Sequence, residues 1–257
     1  MSTIGLFHAA VAFAVGLISG VINAVAAGGT LITFPTLIWL GLNSVTANAT
    51  STVAVWPFVL GGVFGYRREL RTVEPGMLYL VIPSVLGGLG GAILLRSTPS
   101  PVFDRLVPYL ILFATLLFMA QGAVQRKLKL AHPAAHQSPK WLAGAMLFQL
   151  LVSIYGGYFG GGMGILMLAA LSVLGMTNIY QMSGMKNILA GAINAVAALY
   201  FIAEKMVSWP DVGAMALGSV VGGYFGAGVA RRMGAKTVRR VVIMVGFGMA
   251  LSLFIKD

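Results

Sequence analysis

"YFGGGMGILML", residues 158–168, places four glycines before a short apolar helix. Its counterpart in the first half of the chain is "AAGGTLITFPTL", residues 26–37. Each run precedes an apolar segment, at 30–41 or 164–175, that is too short to span a bilayer comfortably. Short, glycine-interrupted segments at corresponding positions in two halves are typical of the broken or re-entrant helices of transporters. The two runs therefore predict a helical membrane protein built from two related halves.

The composition agrees with a chain that lies mostly in a membrane. Of 257 residues, 58% are hydrophobic and 9% are charged, and the mean hydropathy is +0.92, whereas soluble domains contain about 25% charged residues. We predict an all-α polytopic membrane protein with ten segments, at residues 5–26, 30–41, 47–66, 76–95, 106–123, 141–158, 164–175, 183–203, 211–230 and 239–255.

The two halves match along their length. At a spacing of 134 residues the matches are Gly28 with Gly162, Leu37 with Leu171, Gly41 with Gly175 and Tyr66 with Tyr200. After a one-residue shift they are Pro75 with Pro210, Gly87 and Gly88 with Gly222 and Gly223, Gly91 with Gly226, and Arg96 with Arg231. This ordered series indicates an internal duplication.

Each half contains five segments, an odd number, so the second half enters the membrane from the opposite side. We therefore predict one transmembrane domain over 1–257. It consists of a first inverted repeat at 1–123, a cytoplasmic linker at 124–140 and a second inverted repeat at 141–257. Segments two and seven are the short broken or re-entrant helices.

The basic residues predict the orientation. Twelve of the seventeen lie in one alternating set of loops, which the positive-inside rule places in the cytoplasm, so both termini are predicted to be external. The twelve are Arg67, Arg68, Arg71, Arg126, Lys127, Lys129, Lys140, Arg231, Arg232, Lys236, Arg239 and Arg240. Because they lie in short loops, the net charge of +11 indicates contact with lipid headgroups and does not predict nucleic-acid binding.

Lys186 is the only charged residue well inside a predicted segment, within "QMSGMKNILAGAINAVAALYFIAEK", residues 181–205. The spacing of Ser183, Lys186, Asn187, Ala190, Gly191 and Asn194 puts them on one small, polar helical face. A lysine in hydrocarbon costs about 2.5–3.5 kcal/mol, and the cost falls when the ammonium faces water or an anion. The face therefore predicts an anion site. The alternative is that Lys186 extends to the cytoplasmic interface and the small residues serve helix packing.

The glycine runs supply the rest of the predicted site. The first N–H groups of a helix carry partial positive charge, so two half-helix starts near the midplane would bind a small oxyanion. The predicted backbone donors are Gly28, Gly29, Thr30, Gly161, Gly162 and Met163. The predicted side-chain contacts are Thr50, Ser51, Thr52, Ser183, Lys186 and Asn187. The alternatives are that the glycines serve tight packing and that one or two polar residues of 43–52 cap a helix.

Other features argue against an enzyme. The chain has no cysteine, which excludes thiol chemistry. Ser183-Gly184 resembles a membrane serine protease motif, but all three histidines lie outside the predicted helix centres, so no base is expected near the serine. The sequence contains neither a metal-ligand cluster nor a nucleotide-binding glycine motif. We therefore expect no catalytic residues, no metal and no cofactor.

The duplicated pattern resembles the sulfite exporter TauE/SafE family of membrane permeases. The resemblance rests on "GVINAVAAGGTLITFPTLIWLGLNSVTANATSTVAV" (20–55) and "YGGYFGGGMGILMLAALSVLGMTNIYQMSGMKNILA" (155–190), and it extends through "GYRRELRTVEP" (65–75). It implies an inverted five-plus-five fold, a homodimer, and a bacterial inner-membrane location for a transporter of sulfite, sulfonates or related anions. Members usually have a proline in the short second-half helix and an Ala-Thr-Ser-like stretch after it. Here 164–175 lacks proline and 181–187 reads "QMSGMKN", which leaves Ser183, Lys186 and Asn187 as the equivalent site.

We expect a transporter that exports a small sulfur oxyanion, such as sulfite or sulfoacetate, by alternating access at a midplane site. We expect no proton coupling through the protein, because every acidic residue falls in a loop or at a segment end. Two alternatives remain open: a non-transporting membrane partner or sensor subunit of a sulfur-metabolism assembly, and an anion channel.

Overall fold

The computed structural model describes residues 3–26, 29–130, 139–174, 176–233, 243–244, 247–248 and 251. The described elements of regular structure are all helical, with one 3₁₀ helix at Pro75–Leu80. The α-helices are α1 (Thr3–Ala26), α2 (Thr30–Trp39), α3 (Ser44–Gly65), α4 (Arg67–Leu70), α5 (Val81–Ser97), α6 (Ser100–Leu130), α7 (Pro139–Tyr158), α8 (Met163–Val173), α9 (Ile179–Ala203) and α10 (Trp209–Met233).

Several of these helices are long and apolar enough to cross a bilayer. Within the described residues, the four such stretches are Gly5–Asn23, Pro75–Ser97, Ser100–Leu117 and Tyr180–Ala203. In contrast, α2 has 10 residues and α8 has 11, so each covers only about 15 Å, half of the hydrocarbon thickness. The chain is thus a helical, multi-pass membrane protein that contains two short apolar helices, as the glycine runs predict.

The predicted segments correspond to helices as far as the structure is described, and the tenth, 239–255, lies largely outside the described residues. The boundary of the predicted linker at 124–140 differs, because α6 continues to Leu130 and α7 begins at Pro139. Residues 124–130, "VQRKLKL", consist mainly of good helix formers, so the helix continues beyond its apolar part.

The start of α9 also differs from the prediction. It begins at Ile179 and not at 183, because the side chain of Asn178 caps it and accepts hydrogen bonds from the amides of Tyr180 (2.9 Å) and Gln181 (3.4 Å). Lys186 is therefore the eighth residue of the helix, about 10 Å along its axis from the first residue.

Close backbone approach joins two helix pairs, α1 with α10 and α5 with α7, which have the most extensive packing in the described structure. Glycine makes this possible. A Cβ atom at Gly91 of α5 would collide with the carbonyl oxygen of Ile154 in α7, and one at Gly222 of α10 would collide with that of Leu17 in α1. Small residues at such crossings are typical of membrane helices.

The core brings α2 into contact with the chain that leads into α8. The ring of Phe34 in α2 packs edge-on against Phe159, with centroids 5.3 Å apart, and against Phe103 of α6 at 6.5 Å. All three rings are buried. The two helices that begin near glycine runs therefore share one core cluster.

Candidate functional site

Neither short helix has a side-chain cap at its start. Gly29 is the N-cap of α2, and Gly162, with φ of +74°, is the N-cap of α8. The amides of Thr30 and Leu31, and those of Gly161 and Gly162, donate no hydrogen bond to any described residue. Each start thus offers N–H groups that carry partial positive charge and have no acceptor among the described residues, and such groups can bind anions.

Side chains from α1 line the start of α2. Asn23 Oδ1 accepts a hydrogen bond from the Gly29 amide at 2.8 Å. The Ser19 hydroxyl and the Asn23 amide group occupy the space that a Cβ atom at Gly29 would need. Of the predicted backbone donors here, the amide of Gly29 therefore already has a partner, the amide of Thr30 has none among the described residues, and Gly28 lies outside the described residues.

Polar residues of α3 connect the two helix starts. Ser51 and Thr33 of α2 share a hydrogen bond of 2.6 Å between their hydroxyls. Three residues earlier, Asn48 donates from Nδ2 to the carbonyl oxygen of Tyr158 at 2.8 Å, just ahead of the glycine run of α8. One face of α3 thus holds α2 and the turn before α8 near each other.

The neighbouring threonines make different contacts. Thr50 is buried, and its hydroxyl oxygen accepts a hydrogen bond from the Ser208 amide at 3.0 Å, which ties α3 to the start of α10. Thr52 donates to the carbonyl of Asn48 at 2.9 Å and remains half-buried. Ser51 and Thr52 therefore lie on the side of α3 near Asn48. The Thr50 hydroxyl oxygen already has a protein partner, the amide of Ser208.

The start of α8 is held by local contacts and by α9. The carbonyl of Gly161 accepts a hydrogen bond from the Tyr155 hydroxyl, and the Met163 amide donates to Gly160 at 3.3 Å. The Met163 side chain packs in one cluster with Met182, Met185 and other residues of α9. Of the predicted donors in this half, the amides of Gly161 and Gly162 have no acceptor among the described residues. The amide of Met163 already donates to the carbonyl of Gly160.

The polar face of α9 has no protein partners within the described part of the chain. Ser183, Lys186 and Asn187 are each half-buried, and none of them forms a side-chain hydrogen bond or ion pair with a described residue. On the other side of the helix, Met185 and Leu189 are fully buried. An ammonium without a carboxylate, on a face that the protein core leaves partly open, can pair with an anion that binds and leaves.

Four residues that the sequence did not single out as ligand contacts surround the two helix starts: Ser19, Asn23, Asn48 and Tyr155. The sequence does contain a signal for Ser19 and Asn23, because these two polar residues lie four positions apart, on one face, in the otherwise apolar part of α1 after His8. Asn48, a member of the 43–52 stretch expected to cap a helix, lies instead in the fifth position of α3 and bonds across to the end of α7.

Comparison with known proteins identifies the family. The model of the sulfite exporter TauE/SafE family matches residues 12–253. Over 254 residues the chain is 28% identical to a probable membrane transporter protein of Haemophilus influenzae, covering 96% of this chain and 94% of the relative. It is 25% identical over 244 residues to the probable membrane transporter protein YfcA of Escherichia coli K12, covering 95% and 88%. It is 24% identical over 248 residues to the probable membrane transporter protein ORF9 of a Sinorhizobium species, covering 94% and 90%.

No solved structure matches the chain at a significant level. Because the family model covers nearly the whole sequence and the relatives align over most of both lengths, the chain is a membrane transporter that belongs to the sulfite exporter TauE/SafE family.

Proposed function

We propose that this transporter exports a small sulfur oxyanion, such as sulfite or a sulfonate, by alternating access at a site between α2, α8 and α9. The observation that carries the proposal is Lys186, which lies two turns inside an apolar helix and has no anionic partner among the described residues. A charged side chain in such a place costs free energy unless water or a ligand solvates it. An anionic ligand would stabilise the ammonium most.

The two uncapped helix starts support an oxyanion in particular. The amides there that have no described acceptor can donate hydrogen bonds to a ligand with several oxygens around one centre. The contacts of α3 with Thr33 and with Tyr158 tie both helix starts to one helix, which supports a shared ligand. Lys186 then supplies the charge, and Ser183 and Asn187, on the same face, supply neutral contacts.

Helix packing supports the inverted repeat that alternating access requires. If α1 corresponds to α7 and α5 to α10, the two most extensive helix pairs, α1 with α10 and α5 with α7, become equivalent. The packing of α3 with α9 then lies on the axis that relates the halves. Transport would follow from movement of one repeat against the other around the bound anion.

The membrane potential favours export. We place the protein in the bacterial inner membrane with its basic loops in the cytoplasm and both termini outside. An inside-negative potential favours the exit of an anion by about 2.3 kcal/mol per charge per 100 mV. Export of a monoanion thus needs no coupling ion.

The test is the flux of radiolabelled sulfite and sulfoacetate in proteoliposomes that contain the purified protein. We expect saturable flux in the wild type and about a 10- to 100-fold lower kcat/KM in Lys186→Met, because a hydrogen bond to a charged group is lost. Lys205→Met is the matched control, since Lys205 is exposed in the turn just after α9, and we expect it to keep wild-type flux.

Three results would contradict the proposal. Equal flux in Lys186→Met and Lys205→Met would remove Lys186 from the site. Absence of flux for every sulfur anion in the wild type, at either polarity of an imposed potential, would reject transport of this substrate class. Flux that rises linearly with concentration would indicate a channel.

A further inference from the structure

Ser19 stands apart from the other buried hydroxyl side chains. It has no exposed surface, yet its Oγ has no hydrogen-bond partner in the part of the chain that the structure describes. The others all have partners: Thr33, Ser44, Thr50, Ser51, Ser84, Thr115, Ser153 and Ser219. A buried hydroxyl without a partner costs about 1–3 kcal/mol. Such groups are rare, and an absent water, ion or ligand commonly explains them.

The position of Ser19 indicates what it contacts. Its hydroxyl lies against Gly29, the N-cap of α2, in the space that a Cβ atom there would fill. Asn23 is one turn further along the same face of α1, and its Oδ1 is held by the Gly29 amide. The Asn23 Nδ2 group, which lies beside Ser19 Oγ at Gly29, donates to no described residue.

Four donors therefore lie together without an acceptor among the described residues: the Ser19 hydroxyl, Asn23 Nδ2, and the first-turn amides of Thr30 and Leu31. All four are neutral. They can hydrogen-bond the oxygens of an anion, but they cannot compensate its charge except through the partial charge of the helix start.

We propose that Ser19 and Asn23 form an oxygen-binding subsite for the substrate, together with the start of α2. This inference rests on the proposed function and adds α1 to the site. The –SO3 group of sulfite or of a sulfonate binds here through its oxygens, and Lys186 on α9 supplies the balancing charge. Substrate choice then depends on the geometry of neutral donors on α1 and α2.

Ser153 provides a matched control for Ser19. It lies 134 residues later in the sequence, at the equivalent place of α7, and it is also fully buried. Its hydroxyl, however, donates to the carbonyl of Gln149 and accepts from the Gln149 side chain. Replacing either serine with alanine removes one oxygen from a helix interface, but only Ser153 loses a protein partner.

The experiment measures thermal unfolding of the purified full-length protein during titration with sodium sulfite. Without ligand, we expect Ser19→Ala to melt at or above the wild-type temperature and Ser153→Ala to melt below it. With sulfite, we expect the Kd of Ser19→Ala to rise about 10- to 100-fold, since a hydrogen bond to a charged ligand is lost. The Kd of Ser153→Ala should be unchanged, and Ser19→Cys, a weaker donor of similar size, should be intermediate.

The outcomes separate this inference from the proposed function. If sulfite stabilises the wild type and Ser19→Ala binds it with the same Kd, then Ser19 holds only an ordered water and the subsite is wrong, while the proposed function stands. If neither sulfite nor methanesulfonate stabilises the wild type, the proposed function fails and the subsite fails with it.

Discussion

At the scale of single residues, hydrogen bonding divides the polar side chains of the membrane helices into two groups. Thr33, Ser51 and Thr50 bond to other parts of the protein, and such satisfied groups stabilise helix contacts. Ser19 and Lys186 have no partner among the described residues. Residues of the second group are the better candidates for ligand contact, because no described residue accepts a hydrogen bond from their donors.

Gly162 is a residue at which backbone conformation constrains the site. Its φ of +74° lies in the left-handed region, and a Cβ atom there would approach the Ala114 carbonyl oxygen at 3.3 Å. We therefore expect Gly162→Ala to lower stability by about 1–2 kcal/mol and to reduce transport, because the N–H groups at the start of α8 would be displaced. Thermal unfolding in detergent and liposome flux measure the two effects.

The control for this substitution is Gly213→Ala. Gly213 lies inside α10 without a positive φ, and a Cβ atom added there would have no neighbouring atom within 4 Å. There alanine should be neutral or stabilise by about 0.5–1 kcal/mol. Equal melting temperatures for the two variants would show that Gly162 does not need the left-handed conformation.

At the scale of helices, the close packing of α5 against α7 depends on glycines that lie on one face of α5. In α5, Gly87 and Gly91 face α7 and lie against its backbone, whereas Gly90 is exposed and would place a Cβ atom in open space. The close approach of α5 and α7 also brings Gln149 to Ser84, with a hydrogen bond of 2.9 Å. Packing and polar contact therefore reinforce each other at this crossing.

Gly91→Ala and Gly90→Ala form a neighbouring pair that tests this packing. We expect Gly91→Ala to lower the melting temperature, because α5 and α7 must separate to admit the methyl group, at a cost of about 1–3 kcal/mol. Gly90→Ala adds the same methyl group on the exposed side of α5 and should be neutral or slightly stabilising. If both variants melt together, the glycine face does not determine the distance between these helices.

At the scale of the whole molecule, each half packs against the other and neither forms a separate body. α1 packs along α10 and α5 packs along α7, so both major helix pairs join residues from opposite halves. A contact between His8 Nε2 and Asp211 Oδ1 at 2.8 Å strengthens the first pair near the start of both helices. Asp211 also accepts from the hydroxyl of Ser208, which precedes α10.

We expect the loss of this contact to weaken the association of the halves. Asp211 is buried, at 4% exposure, so Asp211→Ala should cost about 1–3 kcal/mol through the lost hydrogen bond from Ser208 and the lost contact with His8. The control is Glu204→Ala, which removes the exposed ion pair with Arg96 at 3.2 Å and should change stability by less than about 1 kcal/mol. Thermal unfolding compares the two, and an equal effect would mean that burial of Asp211 does not matter.

Hydrophobicity and glycine placement by themselves determined the class of fold, the position of nearly every described helix, and the two short apolar helices. These are local properties, because a helix in lipid must satisfy its own backbone and must be long and apolar enough to do so. The isolated charge of Lys186 and the polar face that carries it were also visible in the sequence, since both depend only on helical spacing.

Only the tertiary structure decided which polar residues meet. Thr50 bonds to the amide of Ser208, 158 positions away, Asn48 reaches the end of α7, and Ser19 lies at Gly29 without a partner among the described residues. Hydroxyl and amide side chains look alike in a sequence whether they bond to the protein or to a ligand. Their role depends on which of them remain without a hydrogen-bond partner once the neighbouring helices have packed. Helix periodicity predicts the face on which a residue lies, but it does not predict which residue of another helix lies opposite.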